Sequence, residues 1–73
     1  MEFDERKTQL ISEIAAARQI CGKTQKQIER ESGVKQPIIA RMETGTTDPQ
    51  LSTILKVLAP LGMTLAVVPS EKE

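Results

Sequence analysis

The stretch from Gln25 to Gly45, QKQIERESGVKQPIIARMETG, constrains the fold more than any other part of the chain. Ile28, Gly33, Val34, Ile39 and Met42 fall where two short helices crossing at a tight glycine turn need apolar or small residues. Lys35, Gln36, Ala40 and Arg41 are left on the outside, together with Gln25. A small bundle whose helices merely pack is the plain alternative. The spacing argues against it, because the apolar set and the polar set separate so cleanly around one glycine.

The flanking sequence supplies further helices. Leu10, Ile11, Ile14, Ala17 and Cys21 recur at spacings of three and four, which predicts a first helix from about Asp4 to Cys21. Asp4 and Glu5 sit in its first turn, where the helix dipole favours acids, and Gly22 ends it. Thr24 caps a second helix, forming a capping box with Gln27, and Gly33 closes it. A third helix runs from Gln36 to Thr44 with Ile38, Ile39 and Met42 as its apolar positions. Pro37 is tolerated in its first turn, and Gly45 ends it. Asp48 and Pro49 open a fourth, with Leu51, Ile54, Leu55, Leu58 and Leu61 as its apolar face. Pro60 should end or kink that helix near Ala59. Met63 to Val68, MTLAVV, is short, β-branched and bounded by Gly62 and Pro69, so it reads as a strand.

Composition matters chiefly for what it excludes. Seventy-three residues suit one domain of modest core, for which self-association would add stability. The chain has no His, which removes His-based triads and His-ligated metal sites. Its one cysteine, Cys21, is expected to be a buried, inert thiol on the apolar face of the first helix. Phe3 is the single aromatic, too few for base-stacking platforms. No enzyme chemistry, metal or cofactor is expected. No segment approaches a membrane span and the start MEFDE does not resemble a signal peptide, so a cytoplasmic location is expected.

Net charge is zero, yet it is unevenly placed. Residues 18–47 hold six bases against three acids, whereas residues 1–17 and 48–73 are slightly acidic. The surplus therefore lies on the crossed-helix segment, which is the helix-turn-helix arrangement that sets its second helix into the DNA major groove.

Thr24 to Gly62, TQKQIERESGVKQPIIARMETGTTDPQLSTILKVLAPLG, resembles the XRE (Cro/CI phage-repressor-like) helix-turn-helix regulators. The resemblance rests on the Thr-Gln helix start, the central glycine, the Ile-x-x-Met-Glu-x-Gly helix end and the following Leu-Ser-Thr-Ile helix. It implies a mainly α, lambda-repressor-like bundle of four short helices over residues 1–62, with the helix-turn-helix core at 24–45. It implies that Gln25 braces on a phosphate, that Gln36 and Arg41 reach base edges, and that Lys35 and Thr46 touch the backbone. It also implies an internal salt bridge between Arg18 and Glu43.

Three departures from the family pattern stand out. Glu29 occupies the place of a close-packed alanine, which should loosen the helix crossing. Lys35 replaces the usual Ser/Thr cap of the third helix, at a cost of about 1 kcal/mol. Pro60 interrupts the fourth helix. The terminal Leu-Gly-x-x-Leu-x-Val-Val-Pro is similar to the HigA- and HipB-like antitoxins, which implies an autorepressing antitoxin with a toxin partner. Residues 63–69 are then expected to be a strand pairing across a homodimer through Met63, Leu65 and Val67, followed by a flexible tail at 70–73. The partners implied are double-stranded DNA with a pseudo-palindromic operator, a second copy and a toxin. A stand-alone repressor, or an interaction module of the same fold without DNA binding, are the alternatives.

Overall fold

The computed structural model describes residues 2–70. Four helices follow one another, α1 (Glu2–Ile20), α2 (Gln25–Ser32), α3 (Gln36–Thr44) and α4 (Leu51–Leu58), and a single 3-10 turn covers Ala59–Leu61. The first helix starts at Glu2 rather than near Asp4, so Asp4 and Glu5 still fall in its first turn. α2 and α3 have the expected bounds.

One core holds these elements together. It is built from Ile11 and Ile14 of α1, Ile28 of α2, Val34 of the turn, Ile39 and Met42 of α3, and Ile54, Val57, Leu58 and Leu61. Among the described residues no polar or charged one belongs to this core. Between α2 and α3 the chain reverses at Gly33, whose φ of 81° lies in the left-handed region that costs other residues about 1–2 kcal/mol. The Gly33 N–H closes α2 on the Glu29 carbonyl at 2.9 Å. A helix this short cannot overrun into its neighbour, so α3 lies across α2 and also packs on α1.

Several expectations are corrected. Cys21 is exposed, because α1 ends at Ile20 and the chain turns at Cys21 and Gly22 before the apolar stripe can continue. Asp48 does not cap α4. The helix begins at Leu51 behind Gln50, and the Asp48 carboxylate reaches Lys7 at 3.7 Å instead. In this helix Leu51 and Leu55 face outward and Val57 is fully buried. Pro60 ends the α-helix as expected, yet the 3-10 turn carries Leu61 on into the core.

The expected C-terminal β-strand is absent among the described residues. A strand exists only through a hydrogen-bonded ladder, and the single chain offers these residues no edge to pair with. Side chains fix the segment instead. Leu65 packs against the core beside Leu10 and Ala17, and the Arg6 guanidinium donates to Ser70 Oγ at 2.8 Å. The segment thus returns along α1. Met63 is half-exposed and Val67 entirely so on the single chain, whereas Leu65 is partly buried. Residues 71–73 of the expected tail lie outside the described residues.

Candidate nucleic-acid interface

The start of α2 is held by a reciprocal cap. The Gln27 N–H donates to Thr24 Oγ1 at 3.1 Å, and the Thr24 N–H donates to Gln27 Oε1 at 2.7 Å. This cap sets Gln25 at the first position of α2. Gln36 opens α3, and the crossing of the two helices brings the two amides together. Gln36 Nε2 donates to Gln25 Oε1 at 2.6 Å.

Behind them stands an ion pair. Arg18, in the last turn of α1, donates through Nε to Glu43 Oε2 at 2.7 Å and through Nη2 to Glu43 Oε1 at 2.9 Å. This two-pronged geometry is the strong form of an Arg–carboxylate pair. The Arg18 and Glu43 side chains are only 12% and 9% exposed. Arg18 also donates to the Lys23 carbonyl at 2.8 Å, tying the α1–α2 turn to the pair. Burial works to raise the Glu43 carboxyl, but the Arg18 guanidinium and the Gln25 amide outweigh it and hold it below the usual carboxylate range. The same bond to Glu43 raises the guanidinium further.

The sequence suggests two separate sets, an internal bracket and a reading face. The structure joins them. Gln25 Nε2 donates to Glu43 Oε1 at 2.9 Å, so a relay runs from Arg18 through Glu43 and Gln25 to Gln36. It fixes the sense of both amides, since Gln25 donates to one partner and accepts from the other. Gln36 uses one N–H in this relay, and its second N–H and its carbonyl oxygen are the groups a bidentate contact to adenine requires.

Lys35 and Arg41 are exposed, Lys35 in the turn and Arg41 on the outer side of α3. Thr46 is exposed too, but its hydroxyl lies 3.2 Å from the Arg41 carbonyl and its N–H donates there at 3.1 Å. It serves as the end cap of α3 with Gly45.

Sequence reasoning does not single out two residues of this surface. Ile38, expected in the core, is 43% exposed and lines a shallow cleft with Arg41, Thr47 and Pro49. Successive helical residues diverge by about 100°, so with Ile39 fully buried Ile38 has to turn away, a signal the helical period itself carries. Lys26 is exposed beside Gln25 and lines the cleft at the start of α2. Lys23, by contrast, is committed to Glu31 at 2.7 Å and the Pro60 carbonyl at 3.1 Å.

Glu29 does not loosen the crossing as its size suggests. Ile28 and Ile39 on either side of the crossing are completely buried. The Gln36 backbone N–H and the Lys26 ammonium favour its charged form and hold the Glu29 carboxyl below the usual carboxylate range. Lys26 Nζ stands 3.4 Å away. Among the described residues no cluster of three or more potential metal ligands occurs, and no helix is long and apolar enough to cross a membrane.

The family description for helix-turn-helix matches residues 14–68. A helix-turn-helix-type transcriptional regulator of Haemophilus influenzae is 62% identical over 60 residues. That match covers 82% of the present chain, which spans 61% of the length of this relative. A solved structure of a toxin–antitoxin module from Streptococcus pneumoniae superimposes with a TM-score of 0.75 at 57% identity, covering 93% of the chain and 75% of its counterpart.

Proposed function

Given that this chain belongs to the XRE-type helix-turn-helix family, we propose that it is a sequence-specific DNA-binding transcriptional regulator. The observation that carries the reading is the Gln25–Gln36 amide pair, oriented from behind by Glu43 and Arg18 at the open end of α3. In this reading α3 lies in the major groove. Gln36 and Arg41 read base edges, Gln25 and Lys35 rest on phosphates, and Thr46 reaches the backbone only by giving up its bond at the end of α3.

The finer reading is an antitoxin that represses its own operon. It is supported by the toxin–antitoxin module that the chain resembles at 57% identity. A homodimer would set two copies of α3 about 34–36 Å apart on a pseudo-palindromic operator. The apolar side chains left exposed on one copy favour it. Met63, Val67 and Val68 of the returning segment, with Leu51 and Leu55 of α4, leave more apolar surface uncovered than a small monomer needs. Binding chromosomal DNA would place the protein in the cytoplasm.

The direct test is selection of a duplex from a random pool, followed by titration at several salt concentrations. Affinity for the selected duplex should fall steeply with salt, as expected when lysine and arginine displace counterions from phosphates. Arg41→Ala should weaken the selected duplex by about 1–3 kcal/mol while leaving scrambled DNA nearly unaffected. Lys35→Ala should weaken both alike and lower the salt slope by about one. If Arg41→Ala leaves the preference unchanged, this face does not read bases. If no duplex is selected at any salt concentration, the interaction-module reading takes over.

A further inference from the structure

A glutamine amide has no sense of its own. Turned by half a rotation, it presents donors where it presented its acceptor, with almost no change of shape. The pair formed by Gln25 and Gln36 therefore has two arrangements, and reversing one amide requires reversing the other. In the arrangement observed, Gln36 Nε2 donates to Gln25 Oε1 at 2.6 Å and Gln25 Nε2 donates to Glu43 Oε1 at 2.9 Å. In the reversed one, Gln25 Oε1 would face the Glu43 carboxylate, oxygen against oxygen. Against the pull of burial, the bonds from Arg18 and Gln25 hold that carboxyl below the usual carboxylate range. Near neutral pH it is therefore ionised and can only accept, which closes the reversed arrangement. We propose that Glu43 is a positioning residue that decides which purine this protein reads, by holding the Gln36 amide in the sense that suits adenine and not guanine.

The two arrangements leave Gln36 with different free groups. As observed, one N–H goes to Gln25, and the other N–H remains with the carbonyl oxygen as a donor and an acceptor. In the major groove adenine offers the matching acceptor at N7 and donor at N6, whereas guanine offers two acceptors, N7 and O6. Reversed, Gln36 would accept from Gln25 and keep both N–H groups, the set that suits guanine. Arg18 holds the carboxylate from its other side, through bonds of 2.7 and 2.9 Å, so the carboxylate cannot turn away from Gln25. The ion pair is then more than a brace between α1 and α3. Its negative member sets the polarity of a chain of amides that ends at the base, without touching the base itself.

The inference rests on the DNA-binding reading, and its test separates the two. Duplexes selected by the wild-type protein and by Gln36→Ala identify the base pair that Gln36 reads, as the position whose preference Gln36→Ala loses. There the wild-type protein should prefer adenine to guanine. Glu43→Gln, which can meet Gln25 with either an oxygen or an amino group, should lose about tenfold of that preference, within the range of one bidentate base contact. Gln25→Met leaves the Arg18–Glu43 pair intact and should lose as much, so the test holds even where Glu43→Gln unfolds. Combining Gln25→Glu with Glu43→Gln moves the carboxylate one step along the relay, where it again forces Gln36 to donate. This double variant should bind all DNA more weakly yet regain the preference for adenine, which a merely structural role for Glu43 would not produce. Guanine preferred by the wild-type protein, an unchanged preference in Gln25→Met, or no recovery in a folded double variant would each overturn the inference. In the free protein, NMR should show one hydrogen-bonded and one free proton on the Gln36 side-chain amide, a difference that Gln25→Met removes. If the wild-type protein selects no duplex while these signals behave as described, the choice of purine falls with the DNA reading and only the polarity of the relay stands.

Discussion

Arg18→Met should lower the stability of the free protein by about 3 kcal/mol at neutral pH, the low end of what breaking a buried ion pair costs. Both side chains are about nine-tenths buried, so removing the guanidinium leaves the Glu43 carboxylate with only the Gln25 amide. For a domain of this size the loss corresponds to a fall in Tm of roughly 12 °C or more, which thermal unfolding by circular dichroism would read. Loss of less than about 1 kcal/mol would mean that water screens the pair as it does surface bridges. The pair also sets an acid limb. Glu43 titrates below its ordinary value of 4.5 in the folded chain, so its stabilisation is fully present above that pH. It is lost as pH falls through the lower folded value. Arg18→Met should flatten this limb, and the same variant should weaken DNA selection because Gln25 loses the group that orients it.

The second large effect contrasts two adjacent residues. Ile39→Ala opens a cavity under α3, where the side chain is completely buried, and should cost about 2–5 kcal/mol. Ile38→Ala should change stability by less than about 0.5 kcal/mol. Its effect should appear on DNA instead, since an exposed isoleucine beside Arg41 suits the methyl group of thymine. Replacing each thymine of a selected duplex by deoxyuridine should reveal one position where the wild-type protein loses affinity and the Ile38→Ala protein does not. Equal losses in both proteins at every position would place Ile38 away from the groove.

Much of this architecture is legible in the amino-acid sequence. Apolar spacing and glycines locate α2 and α3, and the Thr24–Gln27 pair announces the capping box at the start of α2. Local chemistry writes such features, so local sequence reveals them. The family resemblance supplies the Arg18–Glu43 pair, whose members lie 25 residues apart in sequence and leave no local trace. What stays hidden depends on several elements at once. The relay from Arg18 through Glu43 and Gln25 to Gln36 needs three helices. The start of α4 escapes sequence reasoning because Asp48-Pro49 is a good local signal, yet Asp48 makes a tertiary contact with Lys7 and the helix opens behind Gln50. The segment from Met63 misleads for the same reason. Its residues favour extended chain, but a β-strand is a property of a pair, and α1 supplies a packing surface rather than an edge.

The exposed turn after α1 has a practical consequence. Cys21 is the single thiol of the whole chain and it is open to solvent. It sits next to Gly22 and Lys23, which line the cleft that Gln25 and Gln36 share. A maleimide dye would therefore attach at one place only, at the rim of the proposed DNA-binding surface, without any engineered cysteine. Its emission would follow DNA arriving and leaving in real time. A spin label at the same atom would measure the separation of two copies on one duplex.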